Sequence, residues 1–381
     1  MSPPRGSALS RWRRRADRRI YRSLFGAYRA FFPSRRWEGP LDPARLHRVL
    51  VVRHDRIGDA VVTSPLLSLL HAALPHAEID VLASPANHAV FAGDPRIARV
   101  FVNDHGPRTL PHLVRRLRAR RYDAVFSVIF GRGLREGVLA SLVSTSATYR
   151  ISVHRPARYA GLFSVTFRAP RSRVHMAERL LWVAERALAL PPTLRPASLA
   201  RYPLALPEDP AAGARAEALL ARLGLPRFAL VNLWAAEPWR EWPVAHLAGV
   251  VRLLRERGHA IPLLLLPPPG KEIEAAVAAS ACDGDARVAP PSRDLADLIA
   301  LVRRAEIVLT PDTGVVHVAS ACDRPVVALY STRTVDIECW TPVGVPHRMI
   351  VAPEGQPVSA IPESEVADAL DSLHAELVAT R

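Results

Sequence analysis

The sequence predicts an α/β protein made of two Rossmann-like domains that face a central cleft. Short aliphatic strands alternate with amphipathic helices from residue 47 to 190, and the alternation starts again at residue 211. Such alternation is typical of parallel sheets covered by helices on both faces. With 381 residues and 49% hydrophobic composition, the chain can bury two cores of ordinary size. Two such sheets joined by a linker enclose a cleft at the carboxyl ends of their strands.

Residues 47–190 are predicted to form the N-terminal domain. Val49–Val52 show no polar alternation, as expected of a strand that is buried on both faces. Gly58 ends the following turn, and the aliphatic residues from Val61 to Leu70 recur at the spacing of one buried helix face. Further strands are predicted in "EIDVLAS" and at Val100–Val102, Ala124–Val128 and Thr148–Ile151, with helices at Leu110–Leu117 and Leu134–Leu142.

The second series is predicted to form the C-terminal domain, residues 211–360. Residues 191–210 carry six prolines and are expected to be the linker. A separate C-terminal helix is expected in residues 361–381, over Glu363–Ala379. Strands are predicted in "RFALVNL", "AIPLLLL", "EIVLT" and "PVVALY", with helices over Pro243–Arg257, in "GKEIEAAVAAS", over Asp294–Arg304 and from Thr313.

Residues 1–40 form a basic tail with an amphipathic pattern. They hold eleven arginines and carry +9 of the net charge of +15. One helical face is apolar and most arginines lie opposite it, which predicts that residues 1–36 bind an anionic membrane surface. The pattern leaves open a helix docked on the protein itself or on a partner, and it also resembles an organellar transit peptide. The apolar face includes Trp12, Ile20, Leu24 and Phe31.

Several classes of protein are disfavoured. The chain outside the tail carries only +6, so no nucleic-acid partner is expected. No apolar run reaches the ~18 residues of a membrane-spanning helix, and no secretory signal is visible. Three cysteines fit no disulfide framework, which predicts a reducing compartment. GxGxxG, P-loop, HExxH and paired CxxC motifs are absent, so neither a metal nor a resident cofactor is expected.

The stretch "LTPDTGVVHVASACDRPVVALY" predicts a phosphate site. A buried strand delivers the chain to a helix N-terminus, where free amides and the helix dipole favour an anion. Asp312 can cap this helix, the amides of Thr313 and Gly314 stay open, and Gly314 lets a phosphate approach. His317 shares their helical face and can reach the same ligand. The alternatives are an ordinary N-cap and a histidine that only packs in the core.

Three motifs together resemble glycosyltransferase family 9, the ADP-heptose:lipopolysaccharide heptosyltransferases. They are "VLVVRHDRIGDAVVTSPLLSLLHAALPHAEIDVL", "NLWAAEPWREWPVAHLAGVVRLLRERGHAIPLLLLPPPGKE" and "LTPDTGVVHVASACDRPVVALYS". The resemblance runs from about Arg48 to the C-terminus and does not cover the tail. It implies a GT-B fold, an ADP-sugar donor bound mainly by the C-terminal domain, an acceptor bound by the N-terminal domain, and inverting transfer without a metal.

The resemblance also implies roles for individual residues. Asp59 is expected to be the catalytic base, although a helix cap would equally suit its position. Arg240 stands where the family usually has a phosphate-binding lysine, and Ala235 and Ala236 replace hydroxyl residues that often help there. Glu272 matches an acidic position that can bind the donor ribose. The expected pyrophosphate binders are Thr313, Gly314 and His317, with Asp312 near the nucleoside.

The acceptor side is predicted more loosely. Arg132 and Arg135 follow a predicted strand end and are tentative contacts for an acidic sugar or a lipid phosphate. The expected acceptor is a lipopolysaccharide core or related glycolipid, the expected sugar is heptose, and the expected location is the cytoplasmic face of the bacterial inner membrane. Two alternatives stay open: a GT-B enzyme that does not transfer sugar, such as a sugar-nucleotide epimerase, and a non-catalytic binding protein.

Overall fold

The protein is described by a computed structural model that covers Tyr28 and residues 31–130, 134–153, 161–168, 170, 175–259, 261–292 and 294–379. Within these residues lie two six-stranded sheets, and every strand pair in them is parallel. The predicted α/β class with two Rossmann-like halves is therefore confirmed.

The N-terminal half is built on the first sheet, whose strands follow the order β3-β2-β1-β4-β5-β6. Its strands are β1 (Arg48–Val52), β2 (Glu78–Ala83), β3 (Arg99–Val102), β4 (Ala124–Ser127), β5 (Tyr149–Val153) and β6 (Val165–Phe167). Its helices are α1 (Ile57–Val61), α2 (Ser64–Ala73), α3 (Leu110–Ala119), α4 (Leu134–Val143) and α5 (Met176–Ala187).

The C-terminal half repeats this architecture, with the order β12-β11-β10-β7-β8-β9. Its strands are β7 (Ala229–Val231), β8 (Leu263–Leu265), β9 (Ala286–Val288), β10 (Ile307–Pro311), β11 (Val326–Tyr330) and β12 (His347–Val351). Its helices are α6 (Pro210–Leu223), α7 (Leu247–Glu256), α8 (Glu272–Ser280), α9 (Leu295–Arg304), α10 (Gly314–Ala321) and α11 (Glu363–Ala379).

The central strands are buried on both faces, which explains their uninterrupted apolar sequences. Val49–Val52 and Val326–Tyr330 are fully buried. One apolar cluster contains residues of both halves, so the two sheets share a continuous core on their facing sides. Each half adds a second cluster on the far face of its own sheet. The halves are therefore packed firmly enough to define a cleft.

Helix formation after β1 departs from the prediction of one continuous helix. The structure has α1, a break at Val62 and Thr63, and then α2 with Pro65 in its first turn. In a continuous helix the Pro65 ring would clash with the carbonyl of Val61, four residues earlier, and proline has no N–H to donate. A similar difference occurs before α7, where a 3-10 turn at Val244–His246 precedes the helix.

The proline-rich segment after α5 packs on the body of the protein. Tyr202, Leu204 and Leu206 are buried, and the amide of Ala205 donates to the Ser64 hydroxyl at 3.1 Å. The segment therefore runs as an ordered strap across both halves. The domain boundaries proposed from the sequence stay a prediction.

The last part of the basic tail is tied to the edge of the N-terminal sheet. Arg150, which is fully buried, donates to the carbonyl of Phe32 at 2.9 Å, and Trp37 packs edge-on against Tyr149 and Phe167. The predicted amphipathic helix lies almost entirely in residues 1–27 and 29–30, outside the described residues. Among the helices that are described, none combines the length and hydropathy of a bilayer-spanning segment.

Candidate active site

The two sheets place their strand ends on either side of one cleft. In each sheet the strand order reverses between the first and the fourth strand, at β1/β4 and at β7/β10. Open parallel sheets bind ligands outside the carboxyl ends of the strands at this reversal. The chain leaves β1 toward Arg53, β7 toward Asn232 and β10 toward Asp312. The candidate residues therefore come from the positions where the fold favours a ligand.

A cavity of about 1030 Å³ lies between the two halves at this place. The N-terminal half supplies the turn after β1, namely Asp55–Gly58, and the C-terminal half supplies Arg240 and the start of α10. Arg56 and Glu237 face each other across the opening, with Nη2 and Oε1 3.7 Å apart. The volume is at the upper end of the range for a cleft that takes a drug-sized ligand. It is lined further by Pro85, Ala86, Trp234, Ala235, Ala236, Pro267–Pro269, Ser292, Asp294 and Leu298.

The start of α10 offers open backbone donors to the cavity. Thr313 is the N-cap, because its hydroxyl accepts from the amide of Val315 at 3.2 Å. The amides of Thr313 and Gly314 have no acceptor among the described residues. Thr313, Gly314 and Val315 all line the cavity. The start of α10 is thus a helix N-terminus whose open amides face the cleft, a geometry that favours an anion.

Asp312 does not cap this helix, so that part of the prediction is wrong. Its amide donates to the Leu329 carbonyl at 2.9 Å, as in a continuing sheet, and the helix begins only after Thr313. The Asp312 carboxylate instead accepts from the Thr334 hydroxyl at 2.8 Å and lies 3.5 Å from Arg240 Nη1. Asp312 therefore lines the cavity as a buried anion that orients Arg240.

Arg240 is the cation of the C-terminal wall. Its Nη1 donates to the carbonyl of Asp312 at 3.3 Å, and its guanidinium stacks on the Trp239 ring at 4.7 Å. Glu237 lies near its Nε at 3.8 Å. Nε is buried and makes no hydrogen bond within the described residues. The guanidinium is therefore held in a fixed orientation and keeps donor capacity for a ligand.

Asp59 lies on α1, directly beside the cavity wall formed by Asp55–Gly58. Its side chain is 16% exposed, and its Oδ1 lies 3.5 Å from Arg53 Nη1. The N-cap of α1 is Arg56, and the Asp59 carboxylate accepts from no helix amide within the described part of the chain. Burial, opposed by Arg53, raises the pKa of Asp59 to about 6. The helix-cap alternative is therefore not supported by the contacts.

His317 does not line this cavity. It is 4% exposed and its ring packs between His175 and Trp340, at centroid distances of 6.0 and 5.8 Å. Burial, helped by the neighbouring His175, lowers the pKa of His317 to about 3, so the ring is neutral. A Cβ added to Gly58 would lie 3.0 Å from His317 Cδ2. In this structure His317 supports the contact between α1 and α10.

The remaining predicted residues are dispersed. Glu272 begins α8 and is not among the residues that line the cavity. Arg135 is exposed near the start of α4. Arg132 lies outside the described residues. Their proposed roles in ribose and acceptor binding stay predictions.

Three residues near the cleft were missed by sequence reasoning. Arg53 is fully buried between Asp55 and Asp59. Asn232 is 8% exposed and donates to the Thr310 hydroxyl at 3.0 Å, which steadies the loop below the Thr313 cap. The sequence offered one signal for Arg53 and Asn232, because each directly follows a buried strand at the point where the strand order of its sheet reverses. Thr334, the donor to Asp312, carried no such signal.

Among the described residues, no group of three His, Cys, Asp or Glu side chains could hold a metal ion.

Solved structures resemble this fold over most of the chain. A glycosyltransferase family 9 protein of Veillonella parvula matches with a TM-score of 0.74 at 20% identity, covering 87% of this chain and 97% of that one. The ADP-heptose lps heptosyltransferase II of E. coli matches with a TM-score of 0.67 at 21% identity, covering 86% and 99%. At these identities the likeness shows the fold, which is GT-B.

Sequence comparison identifies the family. Residues 111–359, well over half of the chain, match the profile of "Glycosyltransferase family 9 (heptosyltransferase)". The lipooligosaccharide heptosyltransferase 2 of Haemophilus influenzae is 30% identical over 96 residues, which span 24% of this chain and only 28% of that relative. The chain belongs to glycosyltransferase family 9. Glycosyl transfer is accordingly the class of activity that family membership assigns to it.

Proposed function

We propose that the protein is an inverting glycosyltransferase that moves a sugar, in the first place heptose, from an ADP-sugar to a lipopolysaccharide core or related glycolipid. One observation carries the proposal: the cavity brings Arg240 and the open amides of α10 to face the turn that leads into Asp59. A cationic wall opposite a carboxylate is what this chemistry needs. The E. coli relative described as an ADP-heptose lps heptosyltransferase supports the choice of donor and acceptor.

The proposed reaction transfers the sugar in one displacement at its anomeric carbon. The Asp59 carboxylate accepts the proton of an acceptor hydroxyl while the hydroxyl oxygen forms a bond to that carbon. The bond from the anomeric carbon to the diphosphate oxygen breaks on the opposite face, and ADP leaves. Arg240 and the amides of Thr313 and Gly314 stabilise the negative charge that develops on the diphosphate. Asp312 keeps the Arg240 guanidinium in position for this.

A matched donor screen tests the proposal. ADP-, UDP- and GDP-sugars are each incubated with the protein and purified lipopolysaccharide-core acceptors. The masses of the acceptor and of the nucleotide after the reaction are measured by mass spectrometry. A glycosylated acceptor with release of ADP is the expected result. An isomerised donor with an unchanged acceptor would identify an epimerase, and donor binding without any product would identify a binding protein.

We also propose that the protein works at the cytoplasmic face of the inner membrane, bound through residues 1–36. Buried Arg150 ties Phe32 to the N-terminal half, so a membrane-bound tail would bring the acceptor-binding half to the lipid surface. Deleting residues 1–27 leaves this anchored segment in place and should abolish binding to anionic vesicles. A second variant keeps the full chain but changes Arg11, Arg15, Arg18 and Arg22 to Glu, and it should also lose vesicle binding. Vesicle binding equal to that of the unaltered protein in both variants would refute the tail's role.

A further inference from the structure

One buried arginine is shared by two carboxylates beside the cavity. Arg53 is 0% exposed, and its Nη1 lies 2.9 Å from Asp55 Oδ2 and 3.5 Å from Asp59 Oδ1. Only the contact to Asp55 has the length of a strong charge-assisted hydrogen bond. Asp59 therefore makes the weaker of the two contacts with Arg53.

The scaffold fixes this unequal sharing. Arg53 Nε donates to the Thr63 hydroxyl at 2.8 Å, and that hydroxyl donates to the Asp59 carbonyl at 2.8 Å. The Asn87 side chain donates to the carbonyls of Arg53 and Asp55 at 3.0 and 3.3 Å. Thr63 thus holds the Arg53 guanidinium, and Asn87 holds the turn that carries Asp55, so these contacts favour the pairing of Arg53 with Asp55.

We propose that Asp55 is a positioning residue for the transfer reaction: by taking the Arg53 guanidinium as its own ion pair, it keeps that cation from neutralising the Asp59 carboxylate. The proposal rests on the proposed role of Asp59 as the base. A carboxylate paired closely with a buried arginine is a poor proton acceptor, whereas one left partly unpaired in a buried site holds a proton more readily. Asp55 thus acts on the reaction through Arg53.

The charged surroundings of Asp59 agree with this division of roles. Burial raises its pKa most, Arg53 lowers it, Asp55 raises it, and Arg56 lowers it. Arg56 is largely exposed, so solvent screens its effect. The helix packed against α1 is α10, which brings His317 to Gly58, and that imidazole is neutral. Among the charged neighbours, Arg53 and Asp55 are therefore the pair with the largest effect on the basicity of Asp59.

The direct test is an NMR titration of the Asp59 carboxyl carbon in protein labelled at its aspartates, with Asp59→Asn used to assign the signal. The wild-type midpoint is expected near pH 6. In Asp55→Asn the midpoint should fall by about one pH unit or more, because a like charge is lost and Arg53 has one carboxylate left. Asp55→Glu restores the carboxylate and should return the midpoint toward the wild-type value.

Glu237→Gln is the matched control, because it also removes a carboxylate from the wall of this cavity but not from Arg53. Its Asp59 midpoint should stay at the wild-type value. An unmoved midpoint in Asp55→Asn, in protein that melts like the wild type, overturns the positioning role. If Asp55→Asn does not fold, Asp55→Ser takes its place in the same comparison.

Turnover separates this inference from the proposed function. The acid limb of the kcat/KM profile should follow the NMR midpoint, moving to lower pH in Asp55→Asn while the plateau rate falls by a few-fold. If Asp59→Asn keeps full activity, the proposed base is wrong and the role of Asp55 is lost with it. If Asp59→Asn is inactive and Asp55→Asn keeps the wild-type acid limb, only the inference about Asp55 fails.

Discussion

Replacing Asp59 by Asn should remove activity and at the same time stabilise the protein. The carboxylate is largely buried, caps no helix within the described residues and shares Arg53 with Asp55. Its pKa of about 6, against an ordinary value of 3.8, means that the folded protein holds the protonated form more tightly than the unfolded chain does. Asn resembles that protonated form in size and lack of charge, so the variant escapes the cost of a buried charge.

The magnitude follows from the same pKa. A difference of about two pH units corresponds to about 3 kcal/mol at 1.36 kcal/mol per unit. The stability that the protonated Asp59 carboxyl gives to the folded wild-type protein is fully present below pH 3.8. It is lost as the pH rises through 6, the pKa in the folded protein. Wild-type protein and Asp59→Asn should therefore unfold alike near pH 4. Above pH 6 the variant should be more stable by a constant amount, about 1–3 kcal/mol.

The assay is urea unfolding of both proteins from pH 4 to 8, with turnover and ADP affinity measured on the same preparations. We expect turnover to fall by roughly 100-fold or more, because Asn cannot accept the acceptor's proton. ADP affinity should hardly change, since Asp59 does not line the C-terminal wall. A variant that is less stable than wild type at pH 8, with turnover retained, would return Asp59 to a structural role and refute the mechanism.

The C-terminal wall and its contact with α1 give three further outcomes. Arg240→Ala should raise the dissociation constant for ADP by about 10- to 100-fold, and Arg240→Lys should recover part of the loss; equal ADP binding by both variants and wild type in calorimetry would contradict this. Gly314→Ala places a Cβ 3.0 Å from the Gly58 amide nitrogen, so urea unfolding should show a loss of about 1–3 kcal/mol, whereas Val315→Ala, the control on the same turn, should leave this contact intact. His317→Ala should cost about 2–4 kcal/mol at pH 8. Because buried His317 stays neutral while the unfolded imidazole gains a proton below pH 6.5, the cost should be about 2 kcal/mol smaller at pH 5, and a cost that does not depend on pH would contradict the buried neutral ring.

Position in the sheet separates most of the strands that sequence reasoning found from those it missed; the exception is β3, an edge strand that was predicted. β1, β4, β7, β10 and β11 are internal, and both of their faces are covered, so each is mainly apolar. The three strands it missed, β6, β9 and β12, are all edge strands. An edge strand is paired on one side only and can be short and half exposed, as Val165–Phe167 is. Its sequence therefore carries little signal.

The start of α6 shows how one residue can mislead. Pro210 was assigned to the linker, but it begins the helix, because the Asp209 carboxylate accepts from the amides of Ala211 and Ala212 at 2.8 and 3.0 Å. Proline is well suited to the first turn, where its missing N–H would have no partner. Counting prolines indicated a linker, whereas the preceding Asp was the better indicator of a helix start.

The candidate site was predictable where local sequence sets the geometry. Strand, turn and helix start follow one another directly at Asp312, Thr313 and Gly314, so their meeting in the cavity could be read from spacing. The burial of His317 could not. Helical periodicity gives the angle between His317 and Gly314, but not which distant elements cover that face. Here His175, from the start of α5 in the other half, and Trp340 cover it.

Gly314 illustrates how the two halves constrain the same atoms. The sequence suggests that its missing Cβ makes room for a phosphate, but the direction of that Cβ is filled by the backbone of Gly58, at 3.0 Å from its amide nitrogen. The open amide of Gly314 is a separate feature and still lines the cavity. Helix α1, which carries Asp59, therefore meets α10, which carries the proposed anion site, at a close approach of two glycines. Since backbone meets backbone there, with Ile57 and His317 packed beside it, the contact holds the proposed base and the proposed diphosphate site at a closely defined spacing.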